Sequence, residues 1–71
     1  MGPMTTHRVA VVTTNGTVHS LASTMRDAYA LQGEIETSVS QGRTAGVQTE
    51  DGYQHFNILH IVRWWVEEVS E

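Results

Sequence analysis

The sequence predicts a small α+β domain of order ββαβββ, in which one helix packs on a curved antiparallel five-stranded sheet or partial barrel. Three observations carry that reading. Two pairs, Asn15-Gly16 and Asp51-Gly52, sit between alternating runs in the way that two-residue hairpin turns do. A stretch with helical periodicity lies between them. The chain then closes on an alternating, tryptophan-bearing run from Ile61 to Glu67.

The first hairpin spans Arg8 to Ala22, with β-branched residues on either side of Asn15-Gly16. A type I′ turn needs positive φ at both central positions, which Asn and Gly tolerate best. Pairing Thr14 with Thr17 then sets Val12 opposite His19, Ala10 opposite Leu21 and Val11 opposite Ser20, with Val9 near Ala22. Neither face is cleanly polar. That suits strands covered on both sides, by the chain's own helix and by another subunit.

A helix is predicted from Thr24 to Gln41. Thr24-x-x-Asp27 resembles a capping box with Asp in place of Glu. Met25, Ala28, Tyr29, Leu31, Ile35 and Val39 fall within an arc of roughly 160° at about 100° per residue. Gly42 stands where a left-handed C-cap belongs. Gly33 weakens the interior, and Ile35-Thr37-Val39 also alternates as a strand would, so a helix to Gln32 followed by a strand is the rival.

In the second hairpin a type I′ turn at Asp51-Gly52 pairs Glu50 with Tyr53, Thr49 with Gln54, Gln48 with His55 and Val47 with Phe56. Paired residues share a face, which puts Val47 and Phe56 toward the core and Gln48, Tyr53 and His55 away from it. Asn57 can cap a tight turn through Ile58, Leu59 and His60. The last strand then sends Val62, Trp64 and Val66 inward, and Ile61, Arg63, Trp65 and Glu67 outward.

Seventy-one residues make one domain, taken as 4–71, because Met1-Gly2-Pro3 ahead of Met4 reads as an added leader. A chain this short buries only about 60% of its unfolded surface. It has no cysteine to staple it or to hold a zinc, so self-association is the remaining common remedy. Eight acids against four bases, every base an arginine, give a net charge of −4 and no basic stripe. That balance argues against duplex DNA or long RNA as partner, because such binding draws its affinity from neutralised phosphates. No apolar run reaches the roughly 18 residues of a membrane span, and no secretory h-region is present, so a cytoplasmic location is expected.

The run from Glu34 to Arg43, E-I-E-T-S-V-S-Q-G-R, then Gly46-Val47, Asp51-Gly52 and Asn57-x-x-His60-Ile61-Val62, resembles many small uncharacterised proteins of actinobacteria and their phages. These commonly end in a DG hairpin, an Asn-led turn and a final strand. The resemblance covers about the C-terminal half and carries no catalytic or binding residue with it. The absence of lysine fits a GC-rich genome.

Four histidines, His7, His19, His55 and His60, invite a metal or general-base reading. Their spacing matches no ligand set, and no HExxH is present, so they read as structural or surface residues and neither metal nor cofactor is expected. Glu67, Glu68 and Glu71 read as a solvated acidic end. Gly42 to Gly46 lacks the phosphate-loop spacing and its lysine, and no serine elbow occurs. The candidate binding face is Gln48, Tyr53 and His55 from the hairpin beside Arg63 and Trp65 from the last strand. Arg stacked on an aromatic ring beside hydrogen-bonding groups can hold a partner protein, a second subunit or a planar ligand. The sequence therefore points to a non-enzymatic binding or regulatory protein acting as a homo-oligomer. An oligomeric ring or sponge for a nucleotide or short RNA is the alternative, and a His- or metal-dependent enzyme the third reading.

Overall fold

The structure, a computed structural model, describes residues 5–69; Met1-Gly2-Pro3, expected from the sequence to be a leader, and Met4, Ser70 and Glu71 lie outside the described residues. Strand β1 (His7–Thr13) turns into β2 (Gly16–His19), and helix α1 (Met25–Ser40) follows. Strands β3 (Ala45–Thr49) and β4 (Gly52–Phe56) form the second hairpin, and a 3-10 turn at Ile58–His60 leads into β5 (Ile61–Glu68). The order ββαβββ and the α+β class are thus observed. The single five-stranded sheet or partial barrel is not: the strands divide into a three-stranded sheet, β2-β1-β5, and a two-stranded sheet, β3-β4, both antiparallel.

The division has a local cause at each side. Strand β2 ends after four residues, and pairing with β1 resumes only at an isolated bridge between His7 and Ser23. In the gap Leu21 turns its N–H out to the Gln48 carbonyl at 2.9 Å, one bond where a merged sheet needs a ladder. At the other side the 3-10 turn carries the chain away from β4 to the far edge of β1. Asn57 caps that turn by accepting the Leu59 N–H at 3.0 Å, and the His60 carbonyl receives the Thr14 N–H at 2.8 Å.

Both hairpins close one residue earlier on each strand than the expected type I′ turns would, so each residue's partner slips by two. Thr13 pairs with Gly16 and Thr49 with Gly52, leaving Thr14-Asn15 and Glu50-Asp51 as the loops. Positive φ falls on Gly16 (131°) and Gly52 (118°), and neither Asn15 nor Asp51 adopts it. The hydroxyls of Thr13 and Thr49 fix this choice. Each accepts the N–H two residues on at 3.2 Å and donates to the glycine carbonyl at 2.8 Å. The expected pairs give way to Ala10↔His19, Val11↔Val18, Gln48↔Tyr53 and Gly46↔His55. A slip of two leaves every side chain on its expected face, since the side-chain period is also two.

Helix α1 runs unbroken through Gly33, which removes the rival strand. Thr24 Oγ1 accepts the Asp27 N–H at 3.2 Å, and at the other end the Arg43 and Gly42 N–H groups bond the Ser38 and Val39 carbonyls at 2.8 and 3.2 Å. Ala28 and Ile35 are buried in the core with Val9, Val11, Ala45 and Val47, and Leu31, Val39, Phe56, Ile61, Trp64 and Val66 pack around them. Each fully buried Val or Ile contributes about 1.5 to 3 kcal/mol. Met25 and Tyr29, expected on the buried arc, are 55% and 54% exposed. They lie about 60° and 100° from Ala28 around the helix, on a flank that the inward stripe of residues 28, 31, 35 and 39 leaves open.

One further correction concerns β5. Its pairing with β1 shifts between Val12↔Arg63 and Thr13↔Ile61, so Val62 is an extra residue in a bulge. The bulge reverses the alternation at that end. Ile61 packs on the core and Val62 is 61% exposed, the reverse of the expectation, while Trp64 and Val66 face inward as predicted.

Candidate functional site

The face of the three-stranded sheet turned away from the helix is built by alternation. In β1 it carries Arg8, Ala10 and Val12; in β2, Thr17 and His19; in β5, Arg63, Trp65 and Glu67. Ala10 stands between His19 and Trp65 in the ladder and is fully buried although it points away from the core. Its two ladder neighbours are both larger, and one of them, Trp65, is half-buried on this face.

Glu67 ties this surface together. Its Oε2 accepts from Arg8 Nη2 at 3.0 Å and from Arg8 Nε at 3.2 Å, and its Oε1 accepts from Trp65 Nε1 at 3.0 Å. The Arg63 guanidinium lies over the Trp65 ring, 5.4 Å from its centroid. The hydrogen bond from Arg8 holds the Glu67 carboxyl below the ordinary carboxylate range; partial burial opposes the shift, and the Arg8 charge and the Trp65 N–H add to it. Glu67 is therefore part of a built network, not of a solvated acidic end, whereas Glu68 is exposed. Sequence reasoning missed Arg8 altogether. Nothing in the local pattern says that β1 and β5, at opposite ends of the chain, lie side by side.

The predicted face is carried on two sheets. Gln48 pairs with Tyr53 on the outer face of β3-β4, where the Tyr53 and His55 rings meet edge to face with centroids 4.8 Å apart. Tyr53 lies across Gly46, where any Cβ would run into its ring. Arg63 and Trp65 stand on β5, which among the described residues pairs with β1 alone. Two aromatic clusters thus replace one continuous patch.

Strand β5 also supplies a backbone feature. The Val69 N–H donates to the Thr6 carbonyl at 2.8 Å, and the same register continues through Arg8↔Glu67, Ala10↔Trp65 and Val12↔Arg63. In an antiparallel ladder these residues turn their N–H and C=O groups toward β1, so Trp64, Val66 and Glu68 turn theirs outward. Among the described residues no strand lies on that side. The edge carries no Pro and no Lys, the residues that commonly blunt such edges.

Two of the four histidines are held by neighbouring threonines. His7 Nδ1 meets Thr6 Oγ1 at 2.7 Å and His60 Nδ1 meets Thr14 Oγ1 at 3.1 Å. Among the described residues no three His, Asp or Glu side chains stand together as a metal site would need. A cleft of about 330 Å³ between β2 and the tip of the second hairpin brings Arg8 and His19 toward Glu50 and Asp51. No helix among the described residues is long and apolar enough to cross a membrane. What the surface offers is stacking, charge pairing and a bare strand edge. Comparison of the chain with protein-family models, with curated proteins and with solved structures gives no match in any of the three.

Proposed function

We propose that the chain is a non-enzymatic binding protein that works as a homo-oligomer, using the edge and outward face of its three-stranded sheet. The observation that carries the reading is the free edge of β5 beside the half-buried Trp65. Unpaired strand edges recruit further strands, and Trp and Arg are enriched where proteins meet. The small core supports it too, because a domain of this size gains most from a partner that covers apolar surface. Light scattering at micromolar concentration tests it: a mass above 7.9 kDa that falls on dilution is expected, and a stable monomer refutes it.

A second reading, a ring or sponge that takes a nucleotide or short RNA, is favoured by one observation, the Arg63 guanidinium stacked over Trp65. Aromatic rings with a nearby arginine hold bases by their faces. Native mass spectrometry reports copy number and retained ligand together, and so separates the two. A protein partner, for either assembly, would be met on the same face.

A further inference from the structure

We propose that the partner at the β5 edge is a second copy of this chain, paired antiparallel about a two-fold axis that passes beside Trp65. The proposal rests on the homo-oligomer reading above and specifies its interface: a continuous six-stranded sheet, β2-β1-β5 of one protomer joined to β5-β1-β2 of its partner.

The register follows from three constraints. A two-fold axis perpendicular to a sheet makes the joined strands antiparallel and pairs residue i with residue j and j with i. The groups free to bond are those of Trp64, Val66 and Glu68, so hydrogen-bonded pairs must be drawn from even-numbered positions. Opposed side chains must also be compatible.

Centring the axis at Trp65 satisfies all three. Trp64 then exchanges both backbone bonds with the partner's Val66, and Val66 with the partner's Trp64, which extends the apolar inner face across the junction. On the outward face Arg63 stands opposite the partner's Glu67, Glu67 opposite the partner's Arg63, and Trp65 opposite the partner's Trp65. Those pairs are the closely spaced, non-hydrogen-bonded ones, where side chains meet most directly. Each Glu67 would lie between its own Arg8, already bonded to Oε2 at 3.0 Å, and the partner's Arg63, with a lone pair to spare on Oε1, which accepts from Trp65 alone.

Neighbouring registers do worse. Centring at Trp64 sets Arg63 against the partner's Trp65 and so leaves it without an opposed carboxylate. Centring at Val66 sets Trp64 against the partner's Glu68. Only the Trp65 register matches both charges at once. The spacing of Arg63 and Glu67, two residues to either side of Trp65 on the same face, makes the strand complementary to itself when reversed.

The test uses two single variants. Arg63→Glu places two carboxylates opposite each other at both ends of the interface, and Glu67→Arg places two guanidiniums there. Each alone is expected to weaken dimerisation at least tenfold while retaining the wild-type circular dichroism spectrum. An equimolar mixture is expected to recover a dimer, because every opposed pair is then Arg with Glu. Because Glu67→Arg also sets a second cation beside Arg8, a cysteine pair supplies an independent readout. The chain has no cysteine, so Arg63→Cys mixed with Glu67→Cys should oxidise to the crossed disulfide in preference to either self-linked product. A wild-type dimer that survives both charge changes, or folded variants that dissociate without recovering on mixing and show no crossed disulfide, overturns the register and leaves self-association intact. A monomeric wild type overturns both.

Discussion

Ser20 supports the core by a bond that the β2 ladder does not supply. Its Oγ accepts the Val9 N–H at 2.8 Å, and its own N–H donates to the Val9 carbonyl at 2.9 Å. Val9 is fully buried and Ser20 is 7% exposed, so little water can replace a lost acceptor. Ser20→Ala leaves the Val9 N–H orphaned, at a cost of about 1 to 3 kcal/mol. Against a total of roughly 4 to 11 kcal/mol for a domain of this length, that is a large share. Urea denaturation at fixed protein concentration measures it, since assembly makes apparent stability depend on concentration. With a slope near the low end for small proteins, about 1 kcal/mol per molar, the midpoint should fall by about 1 M or more. The exposed Thr44→Ala serves as control and should stay within about 0.5 kcal/mol. A Ser20→Ala loss no larger than the control's would refute the argument, by showing that the Val9 amide finds another acceptor.

Two other outcomes are expected. Trp64→Ala removes a ring packed on the buried core beside Val11 and should cost about 3 kcal/mol, whereas Trp65→Ala should keep the circular dichroism spectrum and weaken assembly by about 2 kcal/mol, read by sizing; an unfolded Trp65→Ala beside a folded but dissociated Trp64→Ala would invert the two faces. Because Arg8 depresses the Glu67 carboxyl in the folded chain, its stabilising effect is present above the ordinary carboxylate range and is lost as pH falls through the folded value, so Glu67→Gln should flatten part of the acid-side decline seen in thermal melts across pH.

The hairpins, helix and inward tryptophan were legible because each depends on local chemistry. Thr24, Asp27 and Gly42 mark the helix ends within the sequence itself, and alternation tells Trp64 from Trp65. The hairpin pairing was misread by two because Asn-Gly and Asp-Gly suit type I′ turns, and only the hydroxyls of Thr13 and Thr49 decide against them. The same threonine stands two places before both Asx residues, a repeated signal that makes the correction readable after the fact. The Val62 bulge and the split into two sheets depend on which strands meet, and no local pattern records that Ile61 lies opposite Thr13. The candidate site divides along the same line: its outward residues were legible, but the bond from Arg8 to Glu67 joins positions 59 apart.

That long separation orders the assembly of the fold in time. Both hairpins close over two-residue loops and the helix is local, so each can form within microseconds of its own residues being present. The contact of β1 with β5 must wait for nearly the whole chain to be gathered, and it bears the entropy of closing the longest loop. Until then β1 has one neighbour only, and Val9 and Val11 lack the cover of Trp64 and Val66. The docking of the last strand is therefore the step expected to set the folding rate, and substitutions at the β1–β5 seam should slow folding more than equal destabilisation within either hairpin. A chain emerging from the ribosome would expose that seam longest, at the very strand whose other edge has no neighbouring strand among the described residues.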